Sequence, residues 1–312
     1  MNSEPSFNNF LIDRLPEVRG TYTSNGMLAD QSWFRVGGPA EVLFHPLDVE
    51  DLSFFLKHCP VDVPVTVLGA ASNVLIRDGG IPGVVVRFSP SFAFVKVESD
   101  GIHVGAAAVD LNVARTAQSV GVGGLEFLCG IPGTIGGGLR MNAGSYGREF
   151  KDIVFRANIV DRNGAQRTLT ADQIGFSYRA TKLPADAIVV SALLQGEEGD
   201  PDAILARMQE IQKTRRASQP IGEKTCGSTF ANPENDPEKR KAWQLIEAAG
   251  CRGLKIGQAK VSEKHCNFII NTGQATAADL EKLGEEVRQR VREKFGIDLR
   301  WEVKRIGIEK KT

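Results

Sequence analysis

The feature that most limits how this chain can fold is a glycine-rich stretch at residues 124–147, which reads GLEFLCGIPGTIGGGLRMNAGSYG. Eight of its 24 residues are glycine. A second cluster, VLGAASNVLIRDGGIPG, occupies residues 67–83. Because glycine lets backbone amides approach a ligand closely and adopt positive φ, successive N–H groups can form an anion-binding nest. The two clusters together therefore predict a cradle for a pyrophosphate.

Two common phosphate-binding motifs do not fit these clusters. The G-x-G-x-x-G dinucleotide motif needs its glycines between a strand and a long helix, whereas another apolar run follows the first cluster within a few residues. A P-loop is excluded because the sequence contains no G-K-[ST]. The alternative is that the glycines serve tight turns in a β-rich domain, and the presence of two dense clusters makes this interpretation less favourable. The side chains expected to add hydrogen bonds are Ser72, Asn73, Thr134 and Asn142.

The charge balance and the cysteines limit the partners of the chain. Lys plus Arg and Asp plus Glu both total 38, so the formal net charge is zero, whereas a nucleic-acid or membrane-surface binder would need a basic excess. The five cysteines show no C-x-x-C pair and no histidine at metal-ligand spacing, which indicates free thiols and no metal site. There is no signal-peptide pattern and no run of 18 apolar residues. We expect a cytoplasmic monomer that binds neither nucleic acid nor membrane.

Hydrophobic periodicity gives a coarse outline of the 312 residues, a length that predicts about two domains. Asp48 is predicted to open a helix between two strands, Asp110 to cap the next helix, and Thr276 to begin a long helix near the C-terminus. Apolar periodicity stops over residues 213–236, which predicts a domain boundary there. In the final apolar run, LRWEVKRI, alternation places Glu302 on the face opposite its apolar neighbours.

The motif segments together resemble the UDP-N-acetylenolpyruvoylglucosamine reductases, a family also called UDP-N-acetylmuramate dehydrogenases. The glycine-rich string with RMNAG, followed downstream by GSTFANP, is the most specific part of the resemblance. The matching segments run in the family's order and cover most of the chain from about 33 to 307: RVGGPA (35–40), LGAASNVLIRDGG (68–80), the stretch 124–147, FSYRAT (176–181), CGSTFANP (226–233), AWQLIEAAGCRGLKIGQAKVSEKHCNFIIN (242–271) and LRWEVKRIG (299–307).

The resemblance implies an α+β fold, with a two-part FAD-binding region of the vanillyl-alcohol oxidase type followed by a smaller α/β substrate-binding domain. The expected boundaries are residues 1–90 for FAD-binding subdomain 1, 91–216 for FAD-binding subdomain 2, 217–305 for the C-terminal substrate-binding domain and 306–312 for a tail. The short spacing after Arg179 is similar to the variant of the family that lacks an inserted tyrosine loop.

The cofactor that the resemblance implies is non-covalently bound FAD, with NADPH as the hydride-donating co-substrate. The sequence departs from the family pattern at Ala70 and Ala71, where more glycine is usual, and at Ala231, where a lysine is common. The residues expected to hold the cofactor lie in the two clusters: Gly69, Ala70, Ala71, Ser72, Asn73, Gly130, Ile131, Pro132, Gly133, Thr134, Gly136, Gly137, Asn142, Ala143 and Gly144.

The implied reaction reduces an enolpyruvyl ether, UDP-N-acetylglucosamine enolpyruvate, to a lactyl ether in peptidoglycan precursor synthesis. Hydride addition to the vinyl carbon distal to the carboxylate pushes electrons onto that carboxylate, so the intermediate needs cationic and hydrogen-bonding stabilisation. By resemblance, Arg179 grips the carboxylate, Ser228 protonates the second carbon and Glu302 orients the carboxylate region. Acting as an acid would require burial to raise the pKa of Glu302 above about 4.3. Without the resemblance, these residues are equally compatible with surface charges and a turn.

Asn232, Lys255 and Lys264 are candidate partners for the UDP phosphates, although each is also compatible with a solvated surface position. Cys226 is rejected as a nucleophile because no paired base is evident and the reaction needs no covalent step. Two alternatives to the implied activity stay open. One is another FAD oxidoreductase of the same fold that acts on a hydroxy acid or a sugar, and the other is a flavin-binding module without turnover.

Overall fold

The computed structural model describes residue 7 and residues 9–310. In chain order, its strands are β1 (Thr21–Met27), β2 (Pro39–His45), β3 (Val65–Val67), β4 (Val74–Ile76), β5 (Ile81–Val86), β6 (Val95–Glu98), β7 (Gly101–Gly105), β8 (Val122–Gly123), β9 (Gly144–Ser145), β10 (Arg148–Glu149), β11 (Val154–Val160), β12 (Gln166–Thr170), β13 (Ile188–Leu194), β14 (Glu197–Glu198), β15 (Lys255–Ile256), β16 (Ala259–Val261), β17 (Ile269–Asn271) and β18 (Lys304–Ile306). Its α-helices are α1 (Val49–His58), α2 (Asp110–Ser119), α3 (Ile135–Arg140), α4 (Ala171–Ile174), α5 (Pro201–Ser218), α6 (Ala242–Ala248) and α7 (Ala277–Phe295). Short 3-10 helices cover Asn9–Arg14, Ala29–Gln31, Pro90–Phe92, Glu126–Gly130 and Phe150–Asp152.

The N-terminal sheet has the strand order β1-β2-β5-β3, in which β1 is antiparallel to β2 and the other pairs are parallel. The connection between β2 and β3 contains α1, which begins where the sequence predicts. The Asp48 carboxylate accepts a hydrogen bond from the Asp51 amide and so satisfies one of the free N–H groups of the first turn. The buried residues Leu52 and Phe55 of α1 belong to the core of this region, with the Phe55 ring centroid 4.6 Å from that of Phe44.

The middle of the chain forms an antiparallel five-stranded sheet with the order β12-β11-β13-β7-β6. Side chains alternate across a strand, and β13 uses both of its faces. Ile188 and Val190 belong to the N-terminal core, whereas Val189 between them belongs to the core shared with α2, α3 and α5. This strand therefore joins the first two regions of the fold.

The C-terminal region contains a small antiparallel sheet, β15-β16-β17, with α6 and α7. As predicted, α7 begins after Thr276, whose hydroxyl accepts a hydrogen bond from the Asp279 amide while the Asp279 carboxylate accepts one from the Thr276 amide. The apolar face of α7 is buried in the core of this region. The chain then returns to the N-terminal region, because β18 pairs in parallel with β4. This return places Glu302 beside the loop that precedes β4.

One capping prediction is wrong. α2 does begin at Asp110, but Val109 precedes it in the cap position, and neither oxygen of the buried Asp110 carboxyl has a hydrogen-bond partner within the described residues. Burial raises the pKa of Asp110 well above its usual range, because the charged form loses its hydration. The first turn is instead closed by the Val109 carbonyl, which accepts hydrogen bonds from the amides of Asn112 and Val113.

The last predicted strand forms only in part. Upstream of β18, Trp301 makes a single antiparallel bridge to Phe230. Leu299 and Val303 are buried, whereas Glu302 is half-buried. The predicted alternation therefore holds around Glu302 although the continuous ladder does not.

The three expected domain boundaries remain proposals, and the boundary between residues 305 and 306 falls inside β18. The boundary between residues 90 and 91 lies in the 3-10 helix Pro90–Phe92, and the boundary between residues 216 and 217 lies in the last turn of α5. Within residues 7 and 9–310, no helix is long and apolar enough to cross a membrane.

Candidate active site

The loop over residues 69–73 presents a run of free backbone amides. None of its five N–H groups donates to an acceptor within the described part of the chain. Ala71 has a φ of 50°, in the left-handed region, and its carbonyl accepts a hydrogen bond of 3.3 Å from the Trp33 amide. Successive free N–H groups around such a residue make an anion-binding concavity.

The second loop lies at the start of α3. The amides of Gly133, Thr134 and Gly137 have no acceptor among residues 7 and 9–310, whereas those of Ile135 and Gly136 donate to the carbonyls of Ala108 and Ala106. The backbone is thus fixed on one side while three N–H groups stay available on the other. The remaining predicted cofactor residues of this cluster flank the loop: Gly130, Ile131 and Pro132 before it, and Asn142, Ala143 and Gly144 after α3.

The two loops lie against each other. A Cβ atom at Gly69 would be only 2.6 Å from Thr134 Oγ1. A cavity of about 440 Å³ opens beside them, and its wall includes Gly69, Thr134, Gly136, Gly137, Val65, Val67, Phe88 and Arg140. Free amides beside an apolar wall are what a diphosphate linked to flat rings requires. The residues present therefore fit FAD.

Arg179 lies in a strained turn. Ser177 and Ala180 exchange two backbone hydrogen bonds, of 2.9 and 3.2 Å, which close the turn around Tyr178 and Arg179. Arg179 has a φ of 55°. Non-glycine residues in the left-handed region are uncommon and concentrate at functional sites, where the surrounding structure holds them.

The Arg179 side chain is held by three acceptors. Its Nε lies 3.1 Å from Glu302 Oε1, its Nη2 lies 3.0 Å from the Gly144 carbonyl oxygen, and its Nη1 lies 3.4 Å from the Asn142 carbonyl oxygen. A guanidinium has five N–H donors, so two remain for a ligand. The end of the glycine-rich stretch therefore holds the predicted catalytic arginine as well as the loop.

Glu302 is held from both its backbone and its side chain. Its amide donates to the Thr229 carbonyl at 2.8 Å, and its carbonyl accepts a hydrogen bond of 3.2 Å from Asn73 Nδ2. Burial raises the pKa of Glu302, although the nearby Arg179 guanidinium partly opposes this effect. The direction of the shift is the one that an acid role would require.

The segment that carries Ser228 is fixed next to Glu302. Asn267 holds this segment, because its carbonyl accepts a hydrogen bond of 2.7 Å from the Thr229 amide and its side chain makes two bonds, of 3.0 and 2.7 Å, to the Phe230 backbone. Ser228 itself is half-buried. Since the carbonyl of Thr229 bonds Glu302, the structure brings the three predicted catalytic segments together.

The side chain of Asn142 is already satisfied by the protein. Its Nδ2 donates to Glu149 Oε2 at 2.8 Å and to the Ser177 carbonyl at 2.9 Å, while its Oδ1 accepts from the Lys151 amide at 3.0 Å. Both amide hydrogens are thus used within the fold. The contribution of Asn142 to the site is to fix the turn that contains Arg179.

The predicted substrate residues are all exposed. Asn232 Oδ1 accepts a hydrogen bond of 3.0 Å from the Ala242 amide at the start of α6, and Lys264 Nζ bonds the Arg216 carbonyl. Lys255 lies at the start of β15. Within the described residues, none of the three shares a hydrogen bond or ion pair with the predicted catalytic residues.

Cys226 is buried and its thiol is not activated. Burial raises the pKa of Cys226 to about 12, and its Sγ donates to the Val74 carbonyl at 3.4 Å. A nucleophilic cysteine would need a depressed pKa. This environment agrees with its rejection as a nucleophile.

The sequence analysis missed a second cavity, of about 560 Å³, whose wall includes Trp33, Pro132, Arg215, Thr225, Gly227 and Phe268. Burial lowers the pKa of Arg215, and its side chain makes one hydrogen bond in the described part of the chain, to Gln219. The buried Thr225 hydroxyl has no partner there. A cation without a carboxylate partner and a hydroxyl without a hydrogen-bond partner, both among residues 7 and 9–310, suit a polar or anionic ligand. The basic run at 213–216, directly before the polar loop, is the signal that could have revealed it.

The chain is similar to known proteins over most of its length. A model of the FAD binding domain matches residues 40–170, and a model of the C-terminal domain of UDP-N-acetylenolpyruvoylglucosamine reductase matches residues 219–306. The chain is 56% identical to the UDP-N-acetylenolpyruvoylglucosamine reductase of Rhodospirillum rubrum over 299 residues, which are 96% of this chain and 94% of the relative. It is 54% identical to that of Parvibaculum lavamentivorans over 300 residues, which are 96% of each chain.

A solved structure has the same fold. The crystal structure of UDP-N-acetylenolpyruvylglucosamine reductase from Thermus caldophilus matches with a TM-score of 0.80 at 33% identity, covering 93% of this chain and 100% of that one. The predicted α+β fold, an FAD-binding region followed by a substrate-binding domain, is confirmed.

Proposed function

The chain belongs to the UDP-N-acetylenolpyruvoylglucosamine reductase family, and we propose that Arg179, Ser228 and Glu302 carry out the family's reaction in it. It is an FAD-containing oxidoreductase that reduces UDP-N-acetylenolpyruvoylglucosamine to UDP-N-acetylmuramate in peptidoglycan synthesis. NADPH is the proposed hydride donor. The observation that carries the proposed roles is the contact between Arg179 and Glu302 directly beside the segment of Ser228.

The free amides of residues 69–73, together with those of Gly133, Thr134 and Gly137, would hold the diphosphate of FAD. Backbone N–H groups supply donors without a net positive charge, which suits a chain whose formal net charge is zero. When bound, FAD supplies a two-electron carrier that accepts a hydride before it donates one.

Arg179 binds the substrate carboxylate. Its two remaining N–H donors are available for that group, and an arginine stays charged at any working pH. As hydride adds to the distal vinyl carbon, negative charge builds up towards the carboxylate. A fixed guanidinium then stabilises the transition state more than the ground state.

Ser228 donates a proton to the second carbon of the enolate-like intermediate. An unactivated hydroxyl is a weak acid, but the carbanion is a strong base, and a positioned proton donor contributes typically about 10² to 10⁴ in rate. Glu302 holds Arg179 through Nε and so fixes the direction in which the free N–H groups point. Its half-buried position keeps this pair partly shielded from water.

The nucleotide part of the substrate needs its own partners. Arg215 in the second cavity is a candidate, because it has no carboxylate partner within residues 7 and 9–310 and shares that cavity with Gly227, the neighbour of Ser228. Asn232, Lys255 and Lys264 stay proposals for the UDP phosphates, and their exposure is compatible with a ligand that approaches from solvent.

The expectation of a monomer stays a proposal. The five cysteines are free and buried, which supports a reducing compartment such as the cytoplasm.

Separate half-reactions of the purified protein test the proposed function. The protein as isolated should show flavin absorption and release FAD on denaturation. Under anaerobic conditions NADPH should bleach the flavin, and UDP-N-acetylglucosamine enolpyruvate should restore the absorption. Restoration only by a sugar or hydroxy-acid oxidation product would support a different oxidoreductase of this fold. Flavin that neither NADPH nor the enolpyruvyl substrate changes would identify a module without turnover.

A further inference from the structure

We propose that one face of α7, formed by Gly284, Glu285 and Arg288, acts through Trp301 to position Glu302 relative to Ser228. The proposal rests on the proposed catalytic roles of Glu302 and Ser228. The three residues of α7 act through Trp301 and are therefore positioning residues.

Gly284 provides a hollow for the indole ring of Trp301. A Cβ atom at Gly284 would overlap the Cη2 and Cζ2 atoms of that ring, and Gly284 has no positive φ that would call for glycine. Glycine in a helix interior is destabilising relative to alanine. Close packing of Trp301 against the helix is therefore the reason for this glycine.

Glu285 fixes the polar edge of the same ring. The Trp301 indole Nε1 donates to Glu285 Oε1 at 2.8 Å, and Arg305 Nη1 lies 2.9 Å from the same oxygen. Arg288 bonds the other oxygen and also donates, through Nε, to the Leu299 carbonyl at 2.8 Å. The backbone on the N-terminal side of Glu302 is thus held at Leu299 and at Trp301.

Trp301 transmits this position to the Ser228 segment. Its ring centroid lies 5.1 Å from that of Phe230, and the two residues form a backbone bridge. On either side of this bridge, the Ala231 amide donates to the Arg300 carbonyl at 2.9 Å and the Glu302 amide donates to Thr229 at 2.8 Å. One register therefore sets both proposed catalytic positions.

A displacement of the Trp301 indole would move both Glu302 and the segment that carries Ser228. Glu302 follows Trp301 directly, and its carboxylate reaches Arg179 Nε at 3.1 Å. A misplacement of about 1 Å remote from the chemistry can cost roughly 10²-fold in rate. The step most affected is the one that uses Glu302 and Ser228 together, which is the transfer to the enolpyruvyl substrate.

The test compares Glu285→Gln with Glu286→Gln in the FAD-loaded enzyme. Glu286 is the next residue of the same helix, receives the same substitution and bonds Arg290 instead of the indole. Stopped-flow absorbance gives the rate of flavin reduction by NADPH and the rate of reoxidation by the enolpyruvyl substrate. We expect Glu285→Gln to slow reoxidation by roughly tenfold or more, with reduction by NADPH and the substrate dissociation constant changed less than about twofold. Glu286→Gln should leave both rates unchanged.

Gly284→Ala tests the packing part of the proposal and should show the same split between the half-reactions. Equal losses in both half-reactions together with a lower Tm would show a purely structural role and would overturn the proposal, as would identical behaviour of the Glu285 and Glu286 variants. If Gly284→Ala does not fold, the Glu285→Gln variant still tests the proposal. The Glu285 side chain is 43% exposed and glutamine has the same size, so this variant should fold. Wild-type enzyme that is not reoxidised by the enolpyruvyl substrate would contradict the proposed function instead.

Discussion

Arg179 and Glu302 are separated by 123 residues in the sequence, yet Arg179 Nε lies 3.1 Å from Glu302 Oε1. The side chains are 21% and 19% exposed, so the pair is partly shielded from water. The arginine comes from a strained turn after α4, and the glutamate comes from the segment that leads into β18, which pairs with β4 of the N-terminal region. This contact joins the FAD-binding region to the C-terminal domain at the place where the chemistry is proposed.

Replacing Ser228 by alanine should separate the two half-reactions. Ser228→Ala removes the proposed proton donor, so reoxidation of the reduced enzyme by the enolpyruvyl substrate should slow by about 10² to 10⁴. Reduction by NADPH should stay nearly intact, as stopped-flow absorbance will show. Ser119→Ala, at an exposed site on α2, is the matched control. Equal losses in both half-reactions would argue against a proton-donor role.

Replacing Arg179 by lysine should keep the positive charge but remove the planar arrangement of N–H donors. A lysine cannot make parallel bonds to a carboxylate while also reaching the Gly144 carbonyl. We expect Arg179→Lys to lower the reoxidation rate by about 10² with little change in Tm, since the left-handed turn bears a comparable side chain. Arg167→Lys is the control and should leave the reoxidation rate unchanged, because Arg167 belongs to an ion pair in which its side chain is 63% exposed. An Arg179→Lys variant as fast as wild type would refute the assigned role.

Replacing Gly69 by alanine should weaken FAD binding. The added methyl group would lie 2.6 Å from Thr134 Oγ1, so either the Thr134 side chain must change its rotamer or the two loops must separate, and both changes alter the proposed FAD-binding loops. Fluorescence titration of the apoprotein should show an FAD dissociation constant raised by about tenfold or more, which corresponds to roughly 1.4 kcal/mol. Gly273→Ala is the control, because a Cβ atom there would meet no atom within 4 Å. If both variants bind FAD like wild type, the loop at 69–73 does not hold the cofactor.

Asp110 should make stability depend on pH. Because burial raises its folded pKa well above the value of about 3.9 in an unfolded chain, the folded state binds this proton more tightly. The stabilising effect is fully present below the unfolded pKa and is lost as pH rises through the folded one. The free energy of unfolding of wild type minus that of Asp110→Asn should therefore fall with increasing pH in urea titrations. A flat curve for Asp110 would show that its carboxyl is not desolvated.

Local sequence patterns predicted the parts of the fold that depend on neighbouring residues. Asp48 and Thr276 begin helices because a short polar side chain can bond an amide three residues ahead. The same reasoning was wrong at Asp110, where the carboxyl turns into the protein and the Val109 carbonyl closes the helix instead. That choice depends on the loop at 133–134, with which Val109 pairs, and local pattern does not contain it.

The candidate site was predicted through motifs and only in part through chemistry. From their spacing alone, Arg179 and Glu302 are compatible with surface charges. Only the family resemblance made them candidates for catalytic residues. Arg215 and Thr225 went unnoticed because an arginine and a threonine in a polar segment carry no signal of burial. The structure places both in the wall of one cavity, where, within residues 7 and 9–310, Arg215 has no carboxylate partner and the Thr225 hydroxyl has no hydrogen-bond partner.

What the sequence by itself determined is local: two glycine clusters able to expose their amides, the helix starts at Asp48 and Thr276, and the residue types that a hydride transfer to an enolpyruvyl group requires. Only the tertiary structure decided which of these groups meet. Backbone conformation depends on interactions over a few residues, whereas the contact of Arg179 with Glu302 depends on the parallel pairing of β18 with β4 and on the packing of Trp301 against Gly284. Such long-range contacts form because burial of distant segments lowers the free energy of the whole chain, and no local pattern specifies them.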